Sequence, residues 1–329
     1  MQVTVAICTW NRAHLLRQTL AQLSSVRIPD GLQWEVLVID NNSTDDTQQV
    51  IREFHGLLPL RSVMESAPGQ CNARNRALKE SDAELILWTD DDVLVAPDWI
   101  EQFVQAAATK PEAAILGGVI EPWFVEPPPS DLSSAFPALQ NGYCGLDLGS
   151  TPRFIAEPDY VFGANMGFRR SRINGQTFDP ALGLAPGRAT AGDETDYQRR
   201  LSRVIGASTV LWWPAMKVRH YVDPHRTRLP YLLEYSYGKG AEAALVNQGQ
   251  RLPLWLLKKY AAASTAYFAS RMGIRVPFPR LMSGPVPEGG GRVHSLVWSR
   301  ERQFLKGLID GWRAKVRASN NADARGSGS

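Results

Sequence analysis

With 329 residues the chain has room for one large domain plus an appendage, or for two domains. Apolar residues make up 44% of it, enough for a substantial core and too many for wholesale disorder, while a net charge of +3 is too small to indicate a nucleic-acid partner. Cys8, Cys71 and Cys144 lie far apart, which is neither a disulfide framework nor zinc-site spacing and fits a reducing cytoplasm. No secretory leader is expected ahead of Val3, and no window of about 20 apolar residues suggests a membrane-spanning helix.

Val3, Val5 and Ile7 predict a first strand, followed by a helix through Leu15, Leu16, Leu20 and Leu23. Between them, Thr9 and Asn11 occupy a strand-to-helix turn whose free N–H groups suit an anionic or polar ligand; plain helix capping is the alternative. Val36–Ile39 predicts a second strand ending at Asp40, and Ser43 is expected to cap the helix carrying Val50, Ile51 and Phe54. Capping leaves Asp40 unexplained, and a carboxylate at a strand tip can accept hydrogen bonds from a base or ribose. A third strand over Leu60–Met64 leads into a helix containing Arg74 and Arg76, which cannot share a face; Arg74 is the one assigned to the ligand.

Leu85–Trp88 predicts a fourth buried strand, and it ends in Asp90, Asp91 and Asp92. Three adjacent carboxylates repel, and a divalent cation holding a phosphorylated ligand would offset that repulsion. A solvated acidic turn capping the helix that starts near Pro97 is the alternative. A strand over Ala113–Val119 follows. The alternation of strand and helix predicts an α/β fold with a parallel sheet whose ligands gather at the strands' carboxyl ends, where Thr9–Arg12, Asp40 and Asp90–Asp92 all fall.

The series Ile7-Cys8-Thr9-Trp10-Asn11-Arg12, Val38-Ile39-Asp40-Asn41-Asn42-Ser43-Thr44-Asp45, Ala73-Arg74-Asn75 and Thr89-Asp90-Asp91-Asp92 resembles the family-2 glycosyltransferases. The resemblance is close over about residues 1–120 and looser to about 225. It implies a GT-A type nucleotide-diphospho-sugar transferase fold, Rossmann-like with a mainly parallel sheet, and inverting chemistry. By resemblance Thr9, Asn11, Arg12, Asp40, Asn42 and Arg74 surround the nucleotide, Asp92 binds a metal (Mn2+ or Mg2+), and Asp90 or Asp91 faces ribose or sugar.

Residues 121–160, with Glu126-Pro127-Pro128-Pro129 and Asn141-Gly142-Tyr143-Cys144-Gly145, break the alternation and predict an irregular excursion, either an acceptor-lining lid or a surface loop. In Val161–Arg169, small residues flank Asn165, and the resemblance sets this segment behind donor sugar and acceptor; a structural strand is the alternative. Gly192-Asp193-Glu194-Thr195-Asp196 precedes a helix with Tyr197, Leu201 and Val204 on one face. A helix dipole alone favours such acids, but the resemblance sets the catalytic base here, Glu194 by position with Asp193 as contender. Gln198-Arg199-Arg200-Leu201 lacks the Trp of the processive synthases' motif, so single transfer is expected. After a strand over Ser208–Trp213, His220, preferred to His225, could complete the cation's coordination, and Arg226 or Arg228 could hold the diphosphate.

The expected division is a catalytic domain over 1–228 (a nucleotide-sugar half 1–120 and an acceptor half 121–228), a basic helical extension over 229–318 and a flexible tail over 319–329. Residues 276–291 are expected to be a linker. The last helix, with Leu296, Trp298, Phe304, Leu305, Leu308 and Trp312, reads as a surface for peripheral membrane contact, for packing on the catalytic domain or for a homodimer. The expected reaction moves sugar from a nucleoside diphosphate sugar to a glycan or lipid-linked hydroxyl, in the cytoplasm or at the cytoplasmic face of a membrane. Rival readings are a nucleotidyltransferase, which the glycine-free Cys8–Arg12 turn disfavours, and a non-catalytic membrane-associated scaffold.

Overall fold

The computed structural model describes residues 1–130, 132, 139–185, 188–189, 192–246, 254–272, 274 and 291–326. The chain forms two compact units, Met1–Trp123 with Gly145–Tyr221, and Phe124–Cys144 with Val222–Ser329. The divisions thus fall at 123/124, 144/145 and 221/222 rather than at residue 228.

The first unit opens with β1 (Gln2–Thr9), α1 (Ala13–Leu23), β2 (Gln33–Asp40), α2 (Thr47–Phe54), β3 (Leu60–Met64), α3 (Gln70–Glu80) and β4 (Leu85–Asp90). Then come β5 (Val93–Val95), α4 (Trp99–Thr109), β6 (Ile115–Phe124), β7 (Arg153–Ile155), β8 (Met166–Arg169), β9 (Leu184–Ala185), β10 (Arg188–Ala189), α5 (Asp193–Ile205) and β11 (Val210–Val222). One sheet runs β3-β2-β1-β4-β8-β6-β11-β5, with β7 beside β11. The strands β3, β2, β1 and β4 are parallel, as the alternation predicts. Beyond β4 the sheet turns antiparallel, because β8 slots between β4 and β6. The strand order reverses between β1 and β4, the switch point where open α/β sheets leave a crevice for ligands. Register sets Thr9 beside Asp40 and Cys8 beside Asp90 at that edge.

The core explains why these runs are strands. Val36–Ile39 and Leu85–Leu87 are fully buried, the continuous apolar pattern of strands covered on both faces. Trp88, Phe168, Phe178 and Tyr197 form one aromatic cluster, in which Tyr197 stacks at 4.7 Å on Phe168 and 4.5 Å on Phe178. That cluster anchors α5 to β4 and β8, one helical turn beyond Asp193.

Two local expectations are corrected. Ser43 does not cap α2; its Oγ accepts from the Asn11 N–H at 2.9 Å. Asp45 serves the helix ends instead, accepting from Ala13 N–H at 3.0 Å and Thr47 N–H at 3.1 Å. Val204 is exposed, because Leu201 and Tyr197 already fill the buried face of α5.

The second unit holds α6 (Leu229–Val246), α7 (Leu254–Arg271) and α8 (Gly291–Gly326). Helices α6 and α8 cross closely: a Cβ on Gly240 would run into Phe304 O, and one on Gly307 into Tyr237 O. Trp298, Leu305, Leu308 and Trp312 are buried with Ala244, Leu256, Ala263 and Ala266, so they form this unit's own core rather than an outward apolar face. The helix continues through Gly326, past the boundary expected at residue 318. Residues 276–290 of the expected linker, and 327–329 of the expected tail, lie outside the described residues. Among the described residues no helix is long and apolar enough to cross a membrane.

Candidate active site

The acidic turn after β4 is held from three directions. Thr9 Oγ1 donates to Asp91 Oδ2 at 2.7 Å, and Thr19 Oγ1 donates to the Asp91 carbonyl at 3.0 Å. Arg12, at the start of α1, pairs with Asp91 Oδ1 at 3.3 Å and with Asp92 Oδ2. Asp91 is therefore buried with both oxygens engaged, which corrects the expectation that it faces a ribose or sugar. Burial, followed by the charge of Asp92, pushes its carboxyl up to about 7. Thr9 is also buried, and its hydroxyl serves Asp91 rather than an open turn.

Asp90, Asp92 and His220 bring one ligand atom each to within 4.8 Å of one another. The antiparallel pairing of β11 with β5 makes this possible: it sets His220 opposite Val93, and Tyr221 N–H donates to the Asp92 carbonyl at 2.9 Å. His220 Nε2 lies 3.6 Å from Asp90 Oδ2 and 3.5 Å from Asp92 Oδ1. Its Nδ1 hydrogen-bonds the Tyr221 carbonyl at 2.9 Å, a bond that needs the proton on Nδ1 and in the neutral ring leaves the Nε2 lone pair toward the acids. Asp92 Oδ1 is buried without a hydrogen-bond partner. A buried, orphaned carboxylate oxygen beside an imidazole lone pair and a second carboxylate fits a divalent cation. Asp90, expected at the ribose or sugar, thus joins this cluster. Burial opposes its charge, but His220 in its protonated form, then Arg74 and Arg12, hold it below the usual range. His225 instead pairs with Asp223 at 2.6 Å.

The second acidic group sits at the start of α5. Arg74, buried on α3, donates through Nη1 to Asp193 Oδ2 and through Nη2 to Glu194 Oε1 at 2.6 Å. The sequence resemblance set Arg74 around the nucleotide; the structure commits its guanidinium to this acid pair. Arg76, on another face of α3, pairs with Glu80 at 2.9 Å. Gly163 N–H also donates to Glu194 Oε1 at 2.8 Å, an approach that a Cβ on Gly163 would block by running into Arg74 and Glu194. Gln198, one turn on, anchors the same segment, with its Nε2 donating to the Val161 carbonyl at 2.7 Å. Burial, then the charges of Asp193 and Asp90, raise the Glu194 carboxyl above the usual carboxylate range despite Arg74. Asp90 and Glu194 therefore lie within electrostatic reach, which joins the two acidic groups in one region of the first unit.

The remaining expected residues divide. Asp40 is fully buried at the tip of β2, accepting from Ser43 N–H at 2.8 Å and from Gln48 Nε2. Asn11 and Asn42 both have positive φ, 53° and 75°, where Asn is among the better-tolerated residues. Asn11 Oδ1 accepts from Thr44 N–H at 2.7 Å and so ties the first two strand ends together, while Asn42 is exposed. Asn165 is corrected. It is fully buried, donates to the Val119 and Met216 carbonyls and accepts from Trp99 Nε1, so its amide staples the core away from solvent. Arg226 belongs to the second unit, where it lies by Cys144 Sγ and over the Tyr231 ring. Sequence reading missed Asn41, whose Nδ2 donates to Glu65 O and Ala67 O while its Oδ1 accepts from Gly69 N–H, fixing the loop before α3.

The sequence profile of the family described as Glycosyl transferase family 2 matches residues 4–172. The succinoglycan biosynthesis protein ExoM of Rhizobium meliloti is 23% identical over 246 residues, 73% of each chain. The glucosyl-dolichyl phosphate glucuronosyltransferase of Haloferax volcanii is 23% identical over 261 residues, covering 73% of this chain and 75% of that one. The mannosyltransferase PcManGT of Pyrobaculum calidifontis, solved with GDP-Man and Mn2+, superposes with a TM-score of 0.53 at 18% identity, over 97% of this chain and 75% of that one. At that identity the likeness is one of fold, and the fold is GT-A.

Proposed function

The chain belongs to glycosyl transferase family 2, and we propose that it transfers a sugar from a nucleoside diphosphate sugar to a hydroxyl acceptor with inversion at the anomeric carbon. One observation carries the reading: the Asp90–Asp92–His220 cluster at the switch point lies within electrostatic reach of an acid pair bridged by a buried arginine.

On this reading Glu194 is the base. Its raised carboxyl is closer to the basicity needed to take a hydroxyl proton than an exposed glutamate would be. The acceptor oxygen bonds to the anomeric carbon, the bond from that carbon to the diphosphate oxygen breaks, and the hydroxyl proton passes to Glu194. Arg74 and Gly163 fix the carboxylate, and Asp193 holds Arg74. Asp92 and His220, with Asp90 beside them, would hold Mn2+ or Mg2+, which when bound supplies charge for the diphosphate leaving group. The exposed Asn42 offers a polar group to the nucleoside at the end of β2, and Arg12 is the cation assigned to phosphate.

The acceptor on this reading is a growing polysaccharide or a lipid-linked glycan, as the names of the two matched relatives suggest. The enzyme would then work at the cytoplasmic face of a membrane. The test is incubation with Mn2+ and a panel of sugar nucleotides. Release of a nucleoside diphosphate supports transfer, release of pyrophosphate would indicate a nucleotidyltransferase, and neither product would favour a scaffold.

A further inference from the structure

Of the eleven large apolar side chains exposed among the described residues, four (Leu257, Phe268, Met272 and Ile274) lie on or just after α7. Their spacing is not random. Leu257, Ala261, Thr265, Phe268 and Met272 recur at helical spacing on one face, and all five are exposed. The opposite face, Leu256, Ala263, Ala266 and Ser270, is buried. The helix therefore has one apolar stripe facing its own unit and a second stripe facing outward.

Charge says what the outward stripe suits. The sequence of α7 contains Lys258, Lys259 and Arg271 and no acidic residue. All three cations are exposed, and on the helix Lys258 and Arg271 fall on either flank of the outward stripe. Arg302 adds a fourth charge, with its guanidinium 5.4 Å from the Tyr267 ring centre and 5.9 Å from that of Phe268. An apolar, aromatic stripe edged only by cations complements a surface that is apolar within and anionic at its rim.

We propose that the outward face of α7 seats the protein on an anionic phospholipid surface. Leu257, Phe268 and Met272 enter the acyl boundary, and Lys258 and Arg271, on the two flanks of the stripe, meet the phosphates. Ile274 lies just beyond the last turn and extends the same contact. The inference rests on the placement of the enzyme at a membrane, but not on the identity of its donor or its base.

The experiment is co-sedimentation of the full chain with vesicles of equal parts phosphatidylglycerol and phosphatidylcholine, beside vesicles of phosphatidylcholine alone. Wild type should bind the mixed vesicles, and salt should weaken the binding. Lys258→Glu with Arg271→Glu should lower the partition coefficient about tenfold or more. Leu257→Ser with Phe268→Ser and Met272→Ser should abolish binding, and since these side chains are exposed the melting temperature should stay near wild type. Nucleoside diphosphate release without vesicles should be unchanged in both variants, so vesicle binding and transfer can fail separately. Equal binding by wild type and variants, or none by wild type, overturns the proposal. So does a wild-type dimer in light scattering that the serine variant turns into a monomer, since the stripe would then belong to a second copy.

Discussion

Arg74 donates to Glu194 Oε1 at 2.6 Å, and the same guanidinium holds Asp193. One buried cation thus orders two carboxylates, and the two are not equivalent. Asp193 is buried, whereas Glu194 keeps partial exposure, and burial raises its carboxyl above the usual range. Glu194→Gln should lower kcat by about 100- to 10,000-fold while leaving donor affinity close to wild type, as measured by nucleoside diphosphate release and calorimetric titration of the donor. Wild-type turnover in this variant would remove Glu194 as the base.

Arg74→Met should unfold more easily, because it leaves two carboxylates buried without their partner. The expected loss is about 3–5 kcal/mol in urea unfolding. Restoring stability with Glu194→Gln in the same chain would show that carboxylate charge, not lost packing, is the cause.

The pH profile follows from the direction of the Glu194 shift. Burial raises its affinity for a proton, so the ionised base forms only at a pH above the ordinary glutamate range of about 4.3. Thus kcat/KM should fall on the acid side with a midpoint above that value, and the limb should be absent from the residual activity of Glu194→Gln. A midpoint at or below the ordinary value would mean that another group titrates.

Arg12 pairs with Asp91 and Asp92, so a dication approaching Asp92 also meets that positive charge. Arg12→Gln should bind Mn2+ alone about tenfold more tightly, an estimate kept low because Arg12 is half exposed. Paramagnetic resonance of free Mn2+ measures this without turnover. The same variant should bind the donor more weakly if Arg12 serves the diphosphate.

Much of this arrangement is legible in the sequence. Apolar runs ending in Asp40 and in Asp90–Asp92 mark both strand tips, because a buried strand leaves no other place for consecutive acids. The partner of Arg74 is not legible, since 119 and 120 residues separate it from Asp193 and Glu194 and no periodicity links them. The anchoring bonds of Asn41, Thr19 and Gln198 are illegible for a related reason: each is a lone polar residue whose bonds go to main-chain groups. Asn165 misleads because its small neighbours look like room for a ligand. Gly163 instead admits Arg74 and Glu194, and Gly167 admits Phe103. The predicted strand over Ser208–Trp213 stopped short of Val222, so the register that carries His220 to the acids came only with the fold.

The most direct test of the central claim is anomalous diffraction at the manganese edge from crystals grown with Mn2+ and a nucleoside diphosphate. The account predicts one strong peak bonded to Asp92 and His220, with the diphosphate on its open side, and loss of that peak in Asp92→Asn. Ordered nucleotide with manganese elsewhere, or with none at these residues, would contradict it.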